Sequence, residues 1–317
     1  MQTLLTTRMS RRALMQGGLA AGAGLALTGA AVFGADAPST LPLITKPIPS
    51  TGERLPIIGL GTNAYSVSAP EDIAARREVL QYFPALGARV IDTARGYGDA
   101  ELVIGKLVAE LGNRDQLFIA TKTPTRGEVR PGNGELEEAL ARLQTNRIDL
   151  MQVHNFNAVD QLLPLLREWK QAGKVRYIGV TTSTDDQYPQ MLDALKKLPL
   201  DFIQVDYSID NRGAGEQILP LAQEKGVAVL ANMPLGGRRG NLLAKLADKP
   251  LPVWAAEINV TSWAQLLLKY CASHPAVTAA IPGTTKLAHL RDNQMAARGK
   301  LPDAAMRKRI EELWESL

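Results

Sequence analysis

Cysteine is nearly missing from this chain: Cys271 stands alone among 317 residues. One thiol cannot close an internal disulfide. With three histidines in all, there is also no Cys/His cluster spaced to hold a structural metal. Stability must therefore come from a packed core. Aromatic residues are scarce too, at 5%, and no basic stretch is interleaved with them, so a nucleic-acid partner is not expected. The net charge is +4, and it falls to +2 without the first 37 residues, where Arg8, Arg11 and Arg12 face only Asp36. Beyond residue 37 no apolar run approaches the ~20 residues that span a bilayer. A G-x-G-x-x-G fingerprint is also lacking; Gly59-Leu60-Gly61 is a fragment with no helix opening behind it, which argues against an open Rossmann sheet.

What is present begins with an address. Ser10-Arg11-Arg12-Ala13-Leu14-Met15 resembles the twin-arginine export signature. A weakly apolar stretch rich in Gly and Ala runs from Gly17 to Gly34, and Ala35-Asp36-Ala37 has the small residues of a cleavage site. Charged, apolar and small-residue regions come in the order of a signal peptide. The resemblance implies a signal over residues 1–37, a mature protein over 38–317, the twin-arginine machinery as a partner, and a periplasmic or otherwise exported location. The stretch is barely long enough to span a bilayer, so no stable membrane span is expected after processing.

From about residue 40 short apolar runs alternate with longer amphipathic ones. Eight runs read as strands: Ile57–Gly61, Arg89–Asp92, Leu117–Thr121, Ile148–Val153, Lys174–Val180, Phe202–Val205, Val227–Leu230 and Val277–Ile281. They are close to continuously apolar, as buried parallel strands are, and helical patterns separate them. Eight such units over ~230 residues predict an α/β fold of the closed (β/α)8 barrel type, in a single domain. Ile44–Leu55 contains the turn signal Pro49-Ser50-Thr51-Gly52, which predicts a hairpin over the barrel's bottom. Two helices, near Leu287–Ala297 and Pro302–Ser316, close the chain. The connection from Asn232 to Thr261 is longer than ordinary strand–helix loops, and loops of that length are usually functional or mobile.

A barrel of this kind carries its site at the C-terminal ends of the strands. Asp92 ends the second strand and Tyr97 follows in the loop; Lys122 ends the third and His154 the fourth. Four side chains capable of proton chemistry thus converge at three neighbouring strand ends. Asp at a strand end is often only a cap, and each of the others has its own structural explanation when taken singly. The four together, in this order, form the strongest functional signal in the chain.

The segment Ile91-Asp92-Thr93-Ala94-Arg95-Gly96-Tyr97-Gly98, followed by Glu101 and Gly105, resembles the aldo-keto reductase signature. Ala120-Thr121-Lys122, Asp149-Leu150-Met151-Gln152-Val153-His154 and Gly59-Leu60-Gly61-Thr62 match further blocks, and the likeness runs from about Ile44 to Arg298. It implies an NADP(H)-dependent oxidoreductase that reduces aldehydes or ketones to alcohols. Tyr97 would give the proton, helped by Lys122, since a free phenol with a pKa near 10 donates poorly. Asp92 would hold Lys122, and His154 would orient the carbonyl oxygen.

The same resemblance implies a nicotinamide cofactor across the barrel mouth, near Gly61 and Thr62. Gln204 matches the glutamine that holds the carboxamide. Thr181 and Thr182 stand where the family has Ser-Asn. Asn232, opening Asn232-Met233-Pro234-Leu235-Gly236, stands where an aromatic ring often stacks on the nicotinamide, with Tyr207 as a substitute ring. Arg238 and Arg239 could meet the pyrophosphate. Gly283, Thr284, Thr285 and Lys286, then His289 and Asn293, match the adenosine-phosphate block at a helix N-terminus, and Lys286 favours NADP over NAD. No metal is implied. The altered residues Thr182 and Asn232, and an export route that leaves the cytoplasmic NADPH pool behind, keep a second reading open: an exported cofactor-binding or regulatory barrel with little or no turnover. The substrate is expected to be a small carbonyl compound, selected by the loops Asn63–Ser68, Arg126–Gly134 and Asn155–Asn157 and by the long loop after the seventh strand.

Overall fold

The computed structural model describes residues 40–125, 133–237 and 240–317. The expected signal peptide, most of the Arg126–Gly134 loop, and Arg238 with Arg239 lie outside the described residues. The strands are β1 (Thr45–Pro47), β2 (Arg54–Pro56), β3 (Leu60–Gly61), β4 (Val90–Asp92), β5 (Phe118–Lys122), β6 (Ile148–Val153), β7 (Val175–Thr181), β8 (Phe202–Asp206), β9 (Ala228–Asn232) and β10 (Val277–Ala280). The helices are α1 (Pro70–Ala85), α2 (Ala100–Leu111), α3 (Gly134–Arg142), α4 (Val159–Gln171), α5 (Tyr188–Lys197), α6 (Ile218–Glu224), α7 (Leu242–Lys245), α8 (Trp263–Ser273), α9 (Leu287–Met295) and α10 (Ala304–Ser316).

Strands β3 to β10 lie side by side in sequence order and every pair is parallel. The first and last strands meet and close the ring. Gly59 N–H donates to Ala280 O at 2.8 Å, Ala280 N–H to Ile57 O at 2.9 Å, and Gly61 N–H to Pro282 O at 3.0 Å. A side chain at Gly59 would put its Cβ 2.7 Å from the Val90 carbonyl oxygen. The glycine in Gly59-Leu60-Gly61 therefore serves close strand approach. The first strand is shorter than its apolar run, because only Leu60–Gly61 is regularly paired and Ile58 makes an isolated bridge to Ala280.

The pleat divides the core in two. Ile119, Met151, Ile203, Val205 and Val229 face the helices, whereas Phe118, Ala120, Leu150, Phe202, Ala228 and Leu230 fill the barrel. This alternation is what period-2 geometry demands of strands covered on both sides. The predicted hairpin is present as the antiparallel pair β1 and β2, and its Ile48 and Leu55 join the interior cluster. Thr51 Oγ1 is hydrogen-bonded to Tyr177 Oη at 2.8 Å, which ties the turn to an inward-facing residue of β7 near that strand's start. The long segment after β9 contains α7 and a 3-10 turn at Val253–Ile258. No described helix is long and apolar enough to cross a membrane.

Candidate active site

Strand β4 delivers Asp92 and strand β5 delivers Lys122 to the same end of the barrel. Both are inward-facing by alternation and neither meets solvent to any extent, with side-chain exposures of 4% and 1%. Lys122 Nζ donates to Asp92 Oδ2 at 2.7 Å and to the Thr93 carbonyl oxygen at 2.8 Å. The other carboxylate oxygen, Oδ1, accepts from Gln204 Nε2 at 2.9 Å. Burial opposes the charge on Lys122. The Asp92 carboxylate and then the Tyr97 phenol outweigh it, so the lysine pKa is raised and the ammonium form holds.

Tyr97 follows on the loop from β4, half-buried, with Lys122 Nζ 5.1 Å from its ring centroid. His154 comes from the end of β6, and its ring meets that of Tyr97 edge-on with centroids 6.1 Å apart. Burial, and then the Lys122 charge, press the His154 pKa down to about 3. The imidazole is therefore neutral near pH 7, and it can donate a hydrogen bond without adding a second cation beside Lys122. The loop behind it is conformationally costly: Asn155, Phe156 and Ala158 all have φ between 50° and 58°, and such residues cost about 1–3 kcal/mol each. Asn155 is held there by its N–H bond to Thr181 Oγ1 at 3.0 Å and by Gln187 Nε2 on its carbonyl at 3.0 Å.

Glu101 and Gly105, also in the signature, act at a distance from the reacting groups. Glu101 is fully buried on α2; it accepts from Thr121 Oγ1 at 2.6 Å and from Arg142 Nε at 3.0 Å. Burial raises its pKa against the pull of those partners. A Cβ on Gly105 would lie 2.3 Å from the Arg142 carbonyl oxygen, so α2 and α3 can meet this closely only at a glycine. Together these residues fix β5, and with it Lys122, one residue beyond Thr121.

A cleft of about 920 Å³ opens over these groups. Among the residues expected from sequence, Gly61, Thr62, Asp92, Tyr97, His154, Thr181, Thr182, Gln204, Asn232, Pro234, Leu235, Gly236, Gly283 and His289 line it. A second hollow of about 310 Å³ adjoins it at Gly61, Gly283 and His289 and adds Thr284, Thr285 and Lys286. Lys122 lies behind the wall, and Asn293 is buried on α9 and lines neither hollow. Tyr207 does not substitute for a stacking ring. It is 2% exposed, stacks on Tyr270 and accepts from Arg307 at 2.7 Å, outside the barrel. The Thr182 hydroxyl is likewise engaged locally: it donates to Gln187 Oε1 at 2.8 Å, with Thr184 O as the alternative acceptor at 3.1 Å, and accepts the Thr184 N–H at 3.2 Å. Residues not singled out beforehand are Thr93, whose carbonyl shares Lys122, Thr125 and Asn241 in the cleft wall, and Tyr65, whose phenol donates to Thr284 O at 3.1 Å. Thr93 lies within the signature segment and Tyr65 within the Asn63–Ser68 loop, but nothing in the sequence gave either a role of its own.

The model of the Aldo/keto reductase family matches residues 57–315. Aldo-keto reductase YhdN of Bacillus subtilis is 32% identical over 219 residues, covering 64% of this chain and 64% of YhdN, slightly less than two thirds of that protein. Methylglyoxal reductase YeaE of Escherichia coli is 29% identical over 264 residues, covering 80% and 89% of the two chains. Among solved structures, an aldo/keto reductase from Klebsiella pneumoniae in complex with NADP and acetate is similar with a TM-score of 0.70 at 26% identity, over 83% of this chain and 93% of that one.

Proposed function

Because this chain belongs to the aldo/keto reductase family, we propose that it is an NADP(H)-dependent reductase that converts small aldehydes or ketones to alcohols. One observation carries the reading: Asp92, Tyr97 and a neutral His154 line one cleft, with Lys122 paired to Asp92 directly behind its wall. The Klebsiella protein named above binds NADP, and YeaE is named for a small ketoaldehyde; both support the choice.

The residues present fit a nicotinamide dinucleotide phosphate. The adjoining hollow ends at the N-terminus of α9, where Lys286 stands at the N-cap position without a side-chain cap bond and Thr284 Oγ1 accepts the Lys286 N–H at 3.2 Å. A cationic side chain at a helix N-terminus suits a 2′-phosphate. Gly61, Thr62, Thr181, Gln204, Asn232 and the Pro234–Gly236 turn would line the nicotinamide half, and Gly283, Thr285 and His289 the other. The bound cofactor, when reduced, supplies the hydride. Tyr97 gives its phenolic proton to the carbonyl oxygen. The Lys122 ammonium stabilises the negative charge left on the phenol, and Asp92 keeps that ammonium charged and in place. Neutral His154 donates an N–H bond to the same carbonyl oxygen and sets its direction, which an imidazolium would also do only by adding charge beside Lys122.

Purified protein incubated with NADPH and a panel of short aldehydes and ketones should consume NADPH and form the alcohol in equal amounts. Tight cofactor binding with no consumption on any carbonyl would instead favour a binding or regulatory barrel. We also propose that residues 1–37 direct export by the twin-arginine route to the periplasm. Residues 1–45 fused to a reporter that must fold before export should carry it out, and Arg11 and Arg12 changed to Lys should stop this; undiminished export refutes the route.

A further inference from the structure

Asn232 ends β9, and Met233 turns the chain directly after it at φ 49°. The Asn232 side chain, level with Asp206 at the end of β8, bridges to the segment after β7, where its Nδ2 donates to the Thr182 carbonyl oxygen at 3.0 Å. Thr182 N–H in turn donates to Gln204 O at 2.9 Å, so Asn232 is tied to the residue that flanks Gln204. A carbonyl oxygen accepts only from a donor. The amide orientation of Asn232 is therefore fixed, with its NH2 toward Thr182 and its Oδ1 turned elsewhere. That Oδ1 is buried and has no hydrogen-bond partner, on a side chain that lines the cleft. A buried acceptor left unpaired is unfavourable unless something that binds there brings a donor. The neighbouring hydroxyls cannot fill that role for a ligand as freely. Thr182 Oγ1 is engaged by Thr184 and Gln187, and Thr181 Oγ1 takes the Asn155 N–H.

We propose that Asn232 Oδ1 accepts an N–H of the nicotinamide carboxamide, beside Gln204, so that the amide which reads the carboxamide is supplied by β9 instead of by the residue after β7. The inference rests on the reading of the cleft as a nicotinamide site. It makes Asn232 a cofactor-selecting residue whose contact is a hydrogen bond to the ring's substituent.

The test is a comparison of two ligands with three proteins, read by equilibrium binding. One ligand is NADPH; the other is its reduced 3-acetylpyridine analogue, which keeps the carbonyl and lacks the NH2. The full chain should bind NADPH about tenfold tighter than the analogue, the size of one hydrogen bond at a partly desolvated site. Asn232→Leu, and Asn232→Ala should the leucine variant fold poorly, should weaken NADPH and leave the analogue nearly unchanged, collapsing the ratio toward 1. Equal weakening of both ligands, or an unchanged ratio, would assign Asn232 a structural role and overturn the proposal. If the wild-type chain binds neither ligand, the nicotinamide reading itself fails, and this inference with it.

Discussion

Asp92→Asn preserves the shape of the side chain and removes its charge, which isolates what the carboxylate does. At a separation of 2.7 Å and an effective dielectric constant of ~20, the raw attraction to Lys122 is about 6 kcal/mol. Part of that is offset, because the asparagine no longer carries a desolvated charge and Lys122 keeps its bond to Thr93 O. Removing one member of a buried pair leaves a net loss of about 3–5 kcal/mol. There is a second effect. The structure aims two donors at Asp92, Lys122 Nζ at Oδ2 and Gln204 Nε2 at Oδ1, and an asparagine has one oxygen to offer. Either a donor faces a donor or the Gln204 amide turns over. Urea unfolding at pH 7 should register the stability loss. NADPH-linked carbonyl reduction should fall by about a hundredfold or more, since 2.7 kcal/mol of lost transition-state stabilisation is a factor of about 100. The sign of the pH effect follows from the raised Lys122 pKa. Without Asp92 the ammonium gives up its proton more easily, so activity should decline at a lower pH than in the wild type. A variant within about 0.5 kcal/mol of wild-type stability, with an unmoved alkaline limb, would refute this account of the pair.

Two further outcomes are expected. His154 is buried with a folded-state pKa of about 3, against about 6.5 when unfolded; the unfolded chain binds the proton first, so stability is full above pH 6.5 and falls as pH drops toward 3. At pH 5 the loss from this residue is about 2 kcal/mol, and His154→Gln should flatten that part of a stability–pH curve; an equally steep curve would contradict it. Lys286→Ala should raise the Kd for NADPH about fivefold to tenfold and leave NADH unchanged, because an exposed charge on a phosphate contributes about 1 kcal/mol; a parallel loss for both cofactors would remove Lys286 from the 2′-phosphate.

The tetrad was legible in the sequence because barrel geometry gathers strand ends, and four proton-active residues fell there in order. The closing hairpin and the eight strands were legible for the same reason of period and turn chemistry. What stayed hidden was direction. Tyr207 was a candidate stacking ring, yet alternation along β8 puts it on the outer face with Ile203 and Val205, so period-2 reasoning carried past the strand's end would have excluded it. No sequence pattern says that the Thr182 hydroxyl bends into its own loop, or that Asn232 spends its NH2 on a backbone carbonyl. Those choices depend on loops whose positive-φ residues, Asn155, Phe156, Ala158 and Met233, have no local signature. Asn293 looked available from its place in a motif, and helix packing buries it.

The central claim is that Tyr97 gives up the proton while the rest of the site binds and orients. It is tested most directly by measuring NADPH affinity and carbonyl reduction on the same preparations of wild type and Tyr97→Phe. The account requires the phenylalanine variant to bind NADPH within about twofold of wild type and to lose at least about a hundredfold in kcat, as removal of a general acid costs about 10²–10⁴. Reduction by Tyr97→Phe at close to the wild-type rate would contradict it.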